Sequence, residues 1–226
     1  LCFLNFAALN YTNMITIKTF TFNLFATNTF VLSDETGECM IIDPGCAKPS
    51  EQAELSEYIT KKALTPVLQV ITHYHIDHIT GIRFIKDTYG IGATAHPDGH
   101  IFWENKSAHE SQYGFTSEIV PPENFVKEGD KLKFGNSEFD VVLIPGHADG
   151  SICLINHAQK ILIAGDVIFY GSIGRTDLPT GDFDILIENI RQKLFTLDDN
   201  FVVYPGHGQK TTIGFERLHN PFINQD

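Results

Sequence analysis

Four side chains able to bind a metal fall within six residues, in Thr72-His73-Tyr74-His75-Ile76-Asp77-His78. Imidazole and carboxylate together suit zinc, iron or manganese. A lone histidine near a strand end is ordinarily a cap or a surface residue. Three histidines and an aspartate this closely spaced are not explained by packing or solubility, so the stretch reads as part of a metal centre. The pattern recurs downstream. Apolar runs ending at Ile144, Ala164 and Tyr204 are followed by Pro145-Gly146-His147, Gly165-Asp166 and Pro205-Gly206-His207. Glycine before each of these ligands permits a tight turn and close backbone approach.

The elements that must position these groups are legible from periodicity. Val67-Leu68-Gln69-Val70-Ile71 is an apolar run bounded by polar residues, which predicts a buried strand. At its end His73 and His75, two apart, are expected on one side. Asp77 and His78 open a segment, Ile79 to Ile85, with apolar residues at helical spacing. Four strands each delivering a ligand at the carboxyl end is what a site at the rim of buried sheets requires. Further strands are expected at Ile15–Phe22, Asn28–Leu32, Cys39–Ile42 and Ile91–His96, with a hairpin of Lys131–Phe134 and Glu138–Ile144 around Gly135-Asn136-Ser137. Ser50 to Leu64 follows helical spacing, with Ser50 as N-cap and Pro66 as the stop. Residues 97–128 read as a short helix and a long loop, either a lid or a plain covering segment.

Composition narrows the function. Of 226 residues, 42% are hydrophobic and 19% charged, which allows a substantial core. The formal net charge of −12 disfavours nucleic acid as a partner, because phosphate binding needs a basic surface. Cys2, Cys39, Cys46 and Cys153 have no CxxC spacing and are expected to be buried thiols of a reducing, cytoplasmic protein. No apolar run is long enough for a membrane helix. Residues 1–13 are expected to be an extension upstream of a natural start at Met14, the competing reading being a truncated export signal. Residues 14–226 are expected to form a single domain.

With these residues assembled, the sequence resembles the metallo-β-lactamase-fold hydrolases. His73, His75, Asp77, His78, His147, Asp166 and His207 match that superfamily's HxHxDH…H…D…H order. The resemblance implies an α/β fold, an αββα sandwich of two mixed sheets flanked by helices. Gly171-Ser172-Ile173-Gly174-Arg175-Thr176-Asp177, Tyr204-Pro205-Gly206-His207-Gly208 and Asn220-Pro221-Phe222 look like the glyoxalase II-like branch, in a short form without its helical C-terminal domain. Asp177 and Gln209 stand near points where full-length glyoxalase II has tyrosines. Arg175 keeps a basic residue that can hold a substrate carboxylate or pair with Asp177.

By resemblance, His73, His75 and His147 hold one divalent cation and Asp77, His78 and His207 a second, with Asp166 bridging. Zinc is the first expectation for both ions, with iron and manganese also suited. Asp77 and Asp166 carry the catalysis, through a bridging hydroxide. Asp43, at a strand end, either supports a ligand histidine or simply forms the turn before Pro44-Gly45. His96, His100, His109, His157 and His219 lie outside the pattern and read as surface or structural. A thioester suits such a centre, because its thiolate leaving group, of parent pKa about 8.5, needs little proton assistance. The expected enzyme is therefore a hydroxyacylglutathione hydrolase-like thioesterase acting on a small molecule. The alternative on the same fold is a persulfide dioxygenase with one iron. No GxSxG elbow marks a serine hydrolase.

Overall fold

Two six-stranded mixed sheets stack face to face in the computed structural model, which describes residues 14–104 and 120–223. In chain order the first sheet comprises β1 (Thr16–Phe22), β2 (Thr27–Ser33), β3 (Glu38–Ile42), β4 (Thr65–Val70), β5 (Ala93–Ala95) and β6 (Asn124–Phe125), and its spatial order is the same. β1, β2 and β3 are antiparallel neighbours; β3 to β6 run parallel. The second sheet comprises β7 (Lys131–Phe134), β8 (Ser137–Leu143), β9 (Ile152–Asn156), β10 (Ile161–Gly165), β13 (Val202–Pro205) and β14 (Thr211–Thr212), in the order β14-β13-β10-β9-β8-β7. A separate ribbon pairs β11 (Ile168–Phe169) with β12 (Ser172–Ile173).

Side chains alternate across each strand, so one strand feeds two cores. Phe30 and Leu32 of β2, Met40 and Ile42 of β3, and Ile161 and Ile163 of β10 meet between the sheets, with Phe139, Val141 and Leu154. The intervening residues face outward onto helices. Val31, Cys39 and Ile41 pack on Leu55 and Ile59 of α1 (Pro49–Lys61) and on Ile85 of α3 (Ile82–Tyr89). Leu162, Ala164 and Val203 pack on Leu186 and Ile187 of α5 (Phe183–Asn189), on the π-helical turn Ile190–Leu194 that continues it, and on Ile213 of α6 (Ile213–His219). Strands covered on both faces read as unbroken apolar runs for this reason. The expected αββα layering is what the chain adopts.

Several local expectations are corrected. The N-cap of helix α1 comes two residues earlier than expected: Lys48 rather than Ser50 is the cap, the helix ends at Lys61 rather than Leu64, and Pro49 is the first helical residue. Proline suits that position because its missing N–H would have no partner there, and the Glu51 carboxylate accepts the Lys48 N–H instead. The helix expected after His78 is two pieces, α2 (Ile76–Ile79) and α3, broken at Thr80-Gly81. Gly81 N–H donates to the Pro44 carbonyl at that break. Strands β6 and β9 and helices α5 and α6 were not anticipated; β9, Ile152-Cys153-Leu154-Ile155-Asn156, is an apolar run that periodicity offered. Of residues 97–128, a 3-10 turn (Pro97–Gly99), α4 (His100–Glu104) and β6 are seen, while 105–119 lie outside the described residues, as do 1–13 with Cys2. Cys39, Cys46 and Cys153 are unpaired and buried. Among the described residues no helix is long and apolar enough to cross a membrane.

Candidate metal centre

The seven sequence-predicted ligands converge where the two sheets meet. The loop after β4 carries His73 and His75, and α2 carries Asp77 and His78. β4 ends at Val70, so it is this loop rather than strand pleat that aims the first two histidines. His147 follows β8, Asp166 follows β10, and His207 follows β13. Two sets of three ligand atoms, from His73, His75 and His147 and from Asp77, His78 and His207, each lie within 4.8 Å of one another. Asp166 stands between them. Its Oδ2 is 3.7 Å from His147 Nε2 and 3.3 Å from His207 Nε2, and its Oδ1 is 3.4 Å from His78 Nε2.

The outer nitrogens of four of the five rings are committed elsewhere. His147 Nδ1 donates to the Arg175 carbonyl (2.8 Å) and His207 Nδ1 to the Phe25 carbonyl (3.0 Å). His78 Nδ1 donates to Asp43 Oδ2 (3.0 Å). The Thr72 hydroxyl donates to Asp43 (2.6 Å), which leaves its oxygen to accept from His73 Nδ1 at 3.2 Å. Asp43 thus orients a histidine in each set, one directly and one through Thr72. It also accepts the Thr72 N–H at 2.7 Å and is fully buried. Such partners fix the tautomer, turning each Nε2 lone pair inward.

The inward-facing nitrogens then confront one another. His73 and His147 Nε2 are 3.3 Å apart, and His78 and His207 Nε2 are 3.2 Å apart. Two lone pairs repel at that distance, and so do two N–H groups. Asp166 Oδ1 is buried with no hydrogen-bond partner among the described residues. Imidazole and carboxylate atoms converging in this way, with their other polar atoms satisfied, fit divalent cations.

The electrostatics divide the cluster. Burial holds His73 well below its ordinary value, with His78 adding to the effect, and burial with neighbouring His147 brings His75 down to about 3. His147 is lowered, chiefly by burial. These three are neutral and ready to ligate. In the second set burial opposes charge, but carboxylates prevail: Asp77, Asp166 and Asp43 raise His78 well above its ordinary value. Hydrogen bonds to Asp166 and Asp77 bring His207 up to about 9. Asp77 and Asp166 are lowered against the effect of burial, both first by His78 and then by the hydrogen bond from His207. Protons there occupy the place of a cation's charge.

A pocket of about 400 Å³ opens above the cluster. Phe25, Ile76, Phe102, Phe169, Ile173 and Leu178 line it, with Arg175 at one wall. Arg175 Nε and Nη2 donate to both Asp177 carboxylate oxygens (2.9 and 2.8 Å), which lowers the Asp177 carboxyl to about 2. The ion pair and the position on the pocket wall are both present. The other histidines stay apart from the cluster. His96 accepts the Asp98 N–H, His157 is exposed beside Asp140, and His219 packs on Phe215; His109 lies outside the described residues. Thr72, Thr27 and the pocket aromatics escaped sequence reading; only Thr72, directly before the histidines, carried a positional signal.

The family model described as the metallo-beta-lactamase superfamily matches residues 22–207. Hydroxyacylglutathione hydrolase GloC of Haemophilus influenzae is 35% identical over 204 residues, covering 88% of this chain and 94% of that protein. Among solved structures, BLEG-1 B3 metallo-beta-lactamase aligns with TM-score 0.85 and 32% identity, over 92% of this chain and 100% of that one. TTHA1623 in a di-iron-bound form aligns at 0.81 and 28% identity, over 91% and 99%. ETHE1 from Myxococcus xanthus aligns at 0.75 and 25% identity, over 93% and 86%.

Proposed function

Because the chain belongs to the metallo-β-lactamase superfamily of metal-dependent hydrolases, we propose that it cleaves a small-molecule thioester, an S-acyl-glutathione or a related acyl thiol. The observation that carries the reading is the pair of complete three-ligand sets sharing Asp166 at the floor of an apolar pocket. Similarity to GloC supports the thioester.

Two divalent cations, zinc in this reading, supply Lewis acidity and activate water when bound. His73, His75 and His147 would hold one, Asp77, His78 and His207 the other, with Asp166 serving both. The chain's own part is to hold and orient. Asp43 and Thr72 lock ring tautomers, and Phe25, Phe102 and Phe169 exclude bulk water from the reacting carbonyl. Arg175, already paired with Asp177, presents positive charge for a substrate carboxylate. Among the described residues, the ionisable side chains lining the pocket are ligands or Arg175. No separate general acid is thus at hand, which matches a thiolate leaving group. The reading requires neither a nucleic-acid nor a membrane partner. Three buried unpaired cysteines are compatible with a reducing compartment such as the cytoplasm.

The resemblance to ETHE1 and the chemistry available to this ligand set favour one competitor, a mononuclear-iron persulfide dioxygenase. Metal analysis of the purified protein, run beside assays with S-lactoylglutathione and with glutathione persulfide under oxygen monitoring, separates the two. Two metals per chain with thioester turnover is the expected result. One iron per chain with persulfide-dependent oxygen uptake would overturn it. A β-lactam substrate belongs in the same panel, given BLEG-1.

A further inference from the structure

Strand β2 opens with three consecutive polar residues, Thr27-Asn28-Thr29, all buried. Burying a polar side chain is unfavourable unless it is hydrogen-bonded. Thr27 and Asn28 are bonded to segments that carry ligands of the cluster, and Thr29 to the turn that supports two of its histidines.

The Thr27 hydroxyl lies 2.6 Å from Asp77 Oδ2 and 3.3 Å from Asn23 Oδ1. It has one proton, and the shorter, charge-assisted bond takes it. Asp77 Oδ2 is the oxygen that faces His78 and His207, at 3.3 and 3.2 Å. Thr27 therefore occupies one side of this oxygen and leaves the other directed at the two rings. The Asn28 side chain donates to the carbonyls of Pro205 and Gly208, on either side of His207, and its backbone N–H donates to Gly206. Thr29 donates to the Asp43 carbonyl (2.7 Å) and accepts the Gly45 N–H (2.9 Å), holding the turn from which Asp43 reaches His78. The preceding turn adds two bonds: Asn23 Nδ2 to the Asp77 carbonyl, and the Phe25 carbonyl to His207.

Among the described residues, His75 and His147 of the first set make no hydrogen bond to this run, and His73 is linked to it only indirectly, from Thr29 through Asp43 and Thr72. We propose that Thr27 and Asn28 organise the second cation site separately from the first, with Thr27 as the positioning residue that fixes the Asp77 carboxylate, while Thr29, acting on the Asp43 turn, serves both sites. The assignment rests on the two-cation reading above, and the test distinguishes failure of either.

The experiment titrates Zn2+ into chelator-stripped protein by calorimetry, with elemental analysis after dialysis against limiting Zn2+. It compares wild type, Thr27→Val, Thr27→Ser and Thr27→Ala. Valine keeps the shape and β-branching and removes only the hydroxyl, and circular dichroism checks the fold. Wild type and Thr27→Ser should bind two ions per chain. Thr27→Val should bind the first with unchanged affinity and the second about 10–100-fold more weakly; if valine does not fold, alanine answers the same question. Unchanged affinity at both sites, or equal weakening at both, overturns the assignment. One ion per wild-type chain overturns the two-cation reading itself, and this assignment with it.

Discussion

Asp166 is the residue on which both ligand sets depend. Its two oxygens face histidines from both sets, and one of them is buried without a hydrogen bond. Asp166→Ala removes the shared carboxylate and leaves imidazoles from the two sets facing an empty centre. Hydrolytic activity should be abolished, and the metal content of the purified variant should fall below that of the wild type by elemental analysis. Full activity in the variant would contradict the assignment of Asp166 as the shared ligand. Asp43 shows how a residue with no place in the ligand pattern governs those that have one. At φ +49 it holds a left-handed conformation, which aspartate tolerates better than most side chains, and from there it reaches Thr72 and His78 together.

At the scale of elements, glycines before the ligands do different work at different strand ends. Gly146, after β8, has φ +117, and a Cβ there would sit 2.5–2.7 Å from the backbone and Cβ of Leu186 in α5. Gly165, the last residue of β10, has φ +50, and a Cβ there would sit 2.5 Å from Thr72 Oγ1. Gly206 needs no left-handed φ; a Cβ there would overlap Asp166 Oδ1 and come within 2.8 Å of the His78 ring. Gly146→Ala combines backbone strain with a clash against main chain, which cannot yield cheaply. It should destabilise the fold by more than about 1 kcal/mol and displace His147. Chemical denaturation should show a lower midpoint, with reduced metal content. An unchanged midpoint would mean that α5 can move away from the β8 end.

At the scale of the molecule, side chains from the first sheet's connections meet side chains from the second in one cluster, so cations bound there would join the two halves of the sandwich. A ligand that binds only the folded state stabilises it by about 2.7 kcal/mol at a hundredfold excess over Kd, so chelation should lower the Tm. The metal-free protein should also depend on pH. His207 is raised to about 9 and His78 well above its ordinary value, so their contribution is full below about 6.5; that of His207 is lost as pH rises through about 9, and that of His78 as pH rises through its own raised value. Asp77 and Asp166 are lowered, so their contribution is present above the ordinary carboxylate range and is lost on acidification. Thermal melts of chelator-treated protein should fall between pH 7 and pH 10, while zinc-loaded protein should not follow, because the cation replaces those protons. A flat metal-free profile over that range would refute the coupling.

The convergence of these seven side chains was readable in the chain because metal binding would restrict residue type: histidine and aspartate at strand ends, several times over, have no bland explanation. The layered architecture was partly readable, since strands covered on both faces must be continuously apolar. The helix boundary at Pro49, the break at Thr80-Gly81 and the two-residue strand β6 were not, because each is set by a single local contact or a distant partner. What only the tertiary structure decided is how the ligands are aimed. Asn28 and Thr29 belong by sequence to a strand, Thr27 lies just before it, and Asp43 is left between supporting a ligand histidine and forming a turn. Their role appears only when folding brings residues tens to nearly two hundred positions away within hydrogen-bond reach, and linear spacing carries no record of such contacts.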